Sequence, residues 1–176
     1  MRARIVLILI LVGGILFYFS MREKGSVRLG SEAPAFALQN AEGETIRSVS
    51  FRGQVLLVNF WATFCHTCVT EIPSLNRLAT HFRGRPFQIL GISEDAGGTL
   101  AWETMARFQQ SVPITFPILL DLSGHVADQY GTYLLPETYL LDGEGEVVRK
   151  ITGGINWDDP QVIEEIDALV AEIEQG

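Results

Sequence analysis

The sequence is poor in cysteine: 176 residues carry two, Cys65 and Cys68, with three histidines and three methionines. A structural zinc site draws about four nitrogen or sulfur ligands, commonly from two CxxC-like pairs, and no second pair exists here. No Met-rich or His-rich tract marks a dedicated copper site. Basic residues are also few, 13 Lys and Arg against 21 Asp and Glu, leaving a formal charge of −8. Phosphate neutralisation needs a basic surface, so nucleic acid is excluded as a partner. Neither a GxxxxGK[ST] nor a GxGxxG loop is present for nucleotide phosphates. Internal repeats and low-complexity tracts are absent too, so one domain with a short appendage fits the length.

Charge is missing altogether from Ile5 to Met21, "IVLILILVGGILFYFSM", behind Arg2 and Arg4. About 17 residues is the lower limit for a membrane-spanning helix and too long for an ordinary signal-peptide core. Small residues for a processing site are lacking, because Tyr18, Phe19 and Met21 surround Ser20. The expectation is an uncleaved signal-anchor over residues 1–21, a linker over 22–33 and a folded domain over 34–176. Positive charges stand on both flanks, so the positive-inside count does not fix orientation. The short leading tail favours the cytoplasmic side, which sends the domain outward.

From Pro34 onward strand and helix signals alternate. "QVLLVNFWA" is a continuous apolar run, the mark of a strand covered on both faces. Val69, Ile72, Leu75, Leu78, Ala79 and Phe82 then recur at helical spacing. "PFQILGIS" and "FPILLD" read as further strands, Leu100–Phe108 as an amphipathic helix, and Ser123–Tyr130 as a weak one. "ETYLLDGEGEVVRKIT" predicts a hairpin turning at Asp142–Gly145. Asp159 as N-cap and Pro160 at the first helical position open the last helix. The order β-α-β-α-β-α-β-β-α predicts a three-layer α/β/α sandwich, parallel strands at its centre and an antiparallel pair at the edge.

This layout puts Cys65 where a central strand ends and a helix begins. Free N–H groups and the positive end of the helix dipole favour a thiolate there, the reactive form. Cys68 lies one turn further on, where it can close a ring with Cys65. A bridge over two intervening residues constrains the unfolded chain little, so its structural value is small. Redox exchange is the expected chemistry: Cys65 attacks a partner disulfide, and Cys68 resolves the mixed disulfide. Copper(I) handling or a thiol chaperone, using both cysteines and His66, is the alternative from another class. A peroxidase would need Pro-x-x-x-Thr-x-x-Cys, whereas Thr63 lies two before Cys65 and residue 58 is Val58.

"VLLVNFWATFCHTCVTEIPSLNRL" resembles the active-site segment of the TlpA/ResA/CcmG group of thioredoxin-like, membrane-anchored thiol–disulfide oxidoreductases. "GSEAPAFALQNAEGETIRSVSFRGQ" resembles the N-terminal strand and hairpin shared with peroxiredoxins, and "YGTYLLPETYLLDGEGEVV" the cis-proline segment, its "PET" closest to CcmG-type reductases. The likeness covers Ser31 to Glu174 and implies a thioredoxin-like domain with a mixed sheet behind the N-terminal transmembrane helix. It implies a nucleophilic Cys65, a resolving Cys68, and a cis Pro136 exposing the backbone of Leu135 to an extended client. Trp61 matches the flanking tryptophan, lining the site or packing in the core. Glu94 matches a buried acid that takes the proton of Cys68, or is a solvated loop carboxylate. Glu71 reads as a surface residue, Pro73 as a helix kink, and Glu137 as solvent-exposed.

The chain departs from the family where many relatives hold a proline: His66 and Thr67 fill the CxxC. An imidazolium at His66 would stabilise the thiolate and make the disulfide more oxidising. The resemblance further implies extracytoplasmic clients with disulfides, such as apocytochrome c, and a membrane electron donor of the CcdA/DsbD kind. No cofactor or metal is needed, because the dithiol carries both electrons.

Overall fold

The computed structural model describes Gly14 and residues 27–176. The expected signal-anchor over 1–21 lies outside the described residues apart from Gly14; among the described residues no helix is long and apolar enough to cross a membrane.

Among the described residues seven strands form one sheet: β1 (Ala37–Gln39), β2 (Thr45–Arg47), β3 (Val55–Trp61), β4 (Phe87–Ser93), β5 (Ile118–Leu120), β6 (Glu137–Leu141) and β7 (Val147–Thr152). Their spatial order is β2-β1-β5-β4-β3-β6-β7. The β3–β4 and β4–β5 pairs are parallel; β3–β6, β6–β7, β1–β5 and β1–β2 are antiparallel. Among the described residues it is covered by the helices α1 (His66–His81), α2 (Thr99–Ser111), α3 (His125–Tyr130) and α4 (Pro160–Gln175). The predicted strand and helix order is present, with the N-terminal hairpin added at the far edge as the resemblance implied.

The two faces of β3 show why its sequence is apolar at every position but Asn59. Val55, Leu57 and Trp61 enter one core with Cys68, Ile72, Leu75 and Leu78 of α1, and with residues of α2 and α4. Leu56, Val58 and Phe60 enter a second core with Val126, Ala127 and Tyr130 of α3. Alternate side chains point to opposite faces, so a strand buried on both has no polar register. Truncating Leu75 or Leu78, both fully enclosed, would cost about 2–5 kcal/mol.

Gly91 serves this packing. A Cβ there would stand 2.7 Å from Ile118 and 3.1 Å from the Trp61 indole nitrogen. Ile118, Phe116 and the Trp61 indole together fill the space a side chain at Gly91 would take. At the other terminus Asp159 caps α4 by accepting from the Gln161 amide at 3.0 Å, as its sequence predicted.

Candidate active site

The chain leaves β3 at Trp61 and enters α1 at Cys65, and the turn between them is held from below. The Thr63 amide and hydroxyl both donate to the Asp95 carboxylate, at 3.0 and 2.6 Å. Ser93, the last residue of β4, donates its hydroxyl to the same carboxylate at 2.7 Å. Asp95 thus ties the active-site turn to the neighbouring strand. Asp95 is itself buried.

Cys65 is the N-cap of α1, and its sulfur accepts from the Cys68 amide at 3.2 Å. The two sulfurs form a disulfide of 2.07 Å. Their exposures differ: Cys65 is half-buried, whereas Cys68 is 1% exposed. An incoming thiol or disulfide can reach only the first. His66 and Thr67 are exposed beside it.

One turn further along the buried stripe of α1 is a carboxyl group expected at the surface and found inside. Glu71, one turn beyond Cys68, is 4% exposed. Its Oε1 accepts from Asn59 Nδ2 at 3.0 Å; its Oε2 accepts from the Trp157 indole at 3.0 Å and the Ile155 amide at 3.4 Å. Burial pushes the Glu71 carboxyl above the ordinary carboxylate range, against the pull of those three donors. Asn59, on β3, also donates to Thr138 of β6 at 2.9 Å. The helical wheel carried the signal. Cys68, Glu71, Leu75 and Leu78 recur at three- and four-residue steps and share the buried stripe.

Glu94 takes a different place from the one expected. It follows β4 on the side of Leu90 and Ile92, the face covered by α3, while Cys68 packs on the other. A Cβ on Gly124, the residue preceding α3, would lie 4.0 Å from its Oε2. Its Oε1 is buried without a partner among the described residues. Desolvation, then repulsion from Asp121, Asp128 and Asp95, pushes its carboxyl up to about 7. The carboxyl that shares the buried stripe of α1 with the resolving cysteine is Glu71, not Glu94.

Trp61 also needs correction as a client-lining residue. It is 2% exposed and packs against Phe108 with ring centroids 5.6 Å apart, so it supports the site from within. The Leu135–Pro136 bond is cis. Phe60 pairs with Glu137 across β3 and β6, which places Pro136 opposite Trp61 one step further along. Pro136 O accepts from the Gly153 amide at 2.8 Å; no backbone hydrogen bond engages Leu135 among the described residues. Glu137 is buried, held by Thr152 at 2.9 Å, Tyr139 at 3.1 Å and Lys150 at 3.1 Å. The preceding residues are apolar and open: Tyr133 is 70% and Leu134 63% exposed, and Phe64, before Cys65, is 75% exposed.

A thioredoxin-like sheet, a cysteine pair at a helix mouth and an adjoining cis-proline define a dithiol exchange protein. The comparisons agree. The AhpC/TSA family model matches residues 29–150, and the chain belongs to that family. It is a thiol–disulfide oxidoreductase. It is 31% identical over 155 residues to the thiol-disulfide oxidoreductase ResA of Bacillus cereus, covering 85% of this chain and 86% of that one. Against ResA of Geobacillus thermodenitrificans the identity is 33% over 160 residues, 90% of each chain. Among solved structures it is similar to the thioredoxin domain of a thiol-disulfide oxidoreductase from Bacteroides vulgatus, with TM-score 0.70 and 25% identity over 82% of this chain and 99% of that one.

Proposed function

We propose that the chain is an extracytoplasmic reductase of client-protein disulfides, tethered by a signal-anchor at residues 1–21. The observation that carries this reading is the unequal pair: an accessible Cys65 capping α1 and a buried Cys68 one turn behind it. The reduced Cys65 thiolate attacks one sulfur of a client disulfide, and the other client sulfur leaves as a thiolate. Cys68, giving its proton to Glu71, then attacks Cys65. The mixed disulfide breaks, the second client thiolate departs, and two electrons have moved from this chain to the client. Both client thiolates take up protons.

A client segment laid along Leu135 would pair with its free backbone groups, while Phe64, Tyr133 and Leu134 receive apolar side chains. His66 and Thr67 border the same opening. No cofactor enters these steps. A membrane dithiol donor of the CcdA/DsbD kind would restore the reduced pair, and the "PET" resemblance favours apocytochrome c among the clients. Trapping tests the reading. Cys68→Ser in native membranes should accumulate mixed disulfides through Cys65, and Cys65→Ser should not. Equal trapping by both variants would contradict the assignment.

A further inference from the structure

We propose that Trp157 is a positioning residue for the exchange: its indole N–H holds the Glu71 carboxylate in its proton-accepting form and so sets the pH at which Cys68 completes the reaction. The inference rests on the proposed function and adds a residue outside the cysteine motif.

Trp157 lies between β7 and α4 and is 1% exposed. Its backbone is fixed to α1, because its amide donates to the Ser74 hydroxyl at 3.2 Å and that hydroxyl donates to Glu71 O at 2.8 Å. The indole nitrogen, with a single proton to give, gives it to Glu71 Oε2 at 3.0 Å. A buried carboxylate depends on such donors, since each stabilises only its charged form. The side chain therefore does more than fill volume.

The neighbours of Glu71 leave little else to govern its charge. On its own helix stand Cys68 and Arg77, and Arg77 is paired with Asp158 of the loop that carries Trp157. Asn59 and Thr138, from β3 and β6, are uncharged, as are Thr67 and Ser74 of α1. Thr67, Glu71, Arg77 and Gly154 line a surface pocket of ≈ 300 Å³. The pocket opens a path to solvent for the proton taken from Cys68. The reaction is unchanged in its balance: Cys68 loses a proton to Glu71, forms the bond to Cys65, and the client sulfur leaves.

Losing one charge-assisted donor should raise the pH at which Glu71 ionises by about one unit. The test uses the full chain and four forms: wild type, Glu71→Gln, Trp157→Phe and the double variant. Infrared difference spectroscopy follows the protonated-carboxyl band that Glu71→Gln abolishes. Exchange with a model peptide disulfide is timed across pH in parallel. Trp157→Phe should move the band's titration and the acidic limb of the rate to higher pH by about one unit, with the alkaline plateau retained. In the Glu71→Gln background it should change neither. Should Trp157→Phe fail to fold, benzothienylalanine at position 157 removes the N–H while keeping the ring shape. An unmoved band in a protein that exchanges would overturn the role of Trp157 alone. Absence of exchange in the wild type would overturn the functional reading beneath it.

Discussion

The Cys68 amide donates to the Cys65 sulfur across 3.2 Å, so the resolving residue's backbone caps the residue it will later attack. The same contact survives reduction only if the sulfur remains a good acceptor, and a thiolate is a better one than a thiol. Helix α1 thus stabilises the reactive form of Cys65 through its first turn. Burial withholds that advantage from Cys68, whose proton must go to a neighbour.

His66 occupies the first helical position, where a missing N–H costs nothing and proline is welcome. His66→Pro should therefore fold normally. Replacing the imidazole next to Cys65 should make the couple more reducing, by about 30 mV for a tenfold change in equilibrium constant. Equilibration with glutathione measures this. An unchanged constant would remove His66 from the redox chemistry.

Glu94 predicts a pH-dependent stability of definite sign. Its folded carboxyl is pushed up to about 7 from the ordinary 4.5. Between those values the folded state binds more protons than the unfolded, so stability falls as pH rises through the window. Glu94→Gln should remove that slope and stabilise the protein above pH 7 by about 1–2 kcal/mol, discounted for partial solvent access. Urea unfolding at pH 5 and pH 8 decides it. Equal gains at both pH values would contradict the account.

Gly154 packs over the first turn of α1. A Cβ there would stand 2.8 Å from Thr67 Cγ2, while the Glu71 Oε2 at 3.5 Å is at ordinary contact. Gly154→Ala should cost about 1–3 kcal/mol through overpacking. Thr67→Ser, by deleting that methyl, should restore most of the loss in the double variant. Additive losses in thermal unfolding would show that the contact is not the cause.

Much of this architecture was legible because its signals are local. The apolar run of β3, the helical spacing after Cys68 and the Asp159–Pro160 start each specify an element without knowledge of its neighbours. The site was legible where chemistry depends on adjacency, as in the strand-to-helix placement of the cysteines. It was not legible where two carboxylates had to be assigned to sheet faces. Glu94 lies on the side of Leu90 and Ile92, but which helix covers that side is a matter of topology. Glu71 interrupts an apolar stripe and resembles a solvated residue until Trp157, 86 positions away, brings a donor to it. The choice for Trp61 between site lining and core packing was closed for the same reason, by Gly91 on another strand and Phe108 on α2, which meet its ring.

The most direct test is the alkylation rate of the reduced protein as a function of pH, read separately for each cysteine by mass spectrometry. The account predicts that Cys65 titrates at least one unit below the ordinary thiol value of about 8.5 and reacts at neutral pH. Cys68, 1% exposed, should stay largely unmodified. A Cys65 titrating at or above the ordinary value, or alkylation of Cys68 in preference, would contradict it.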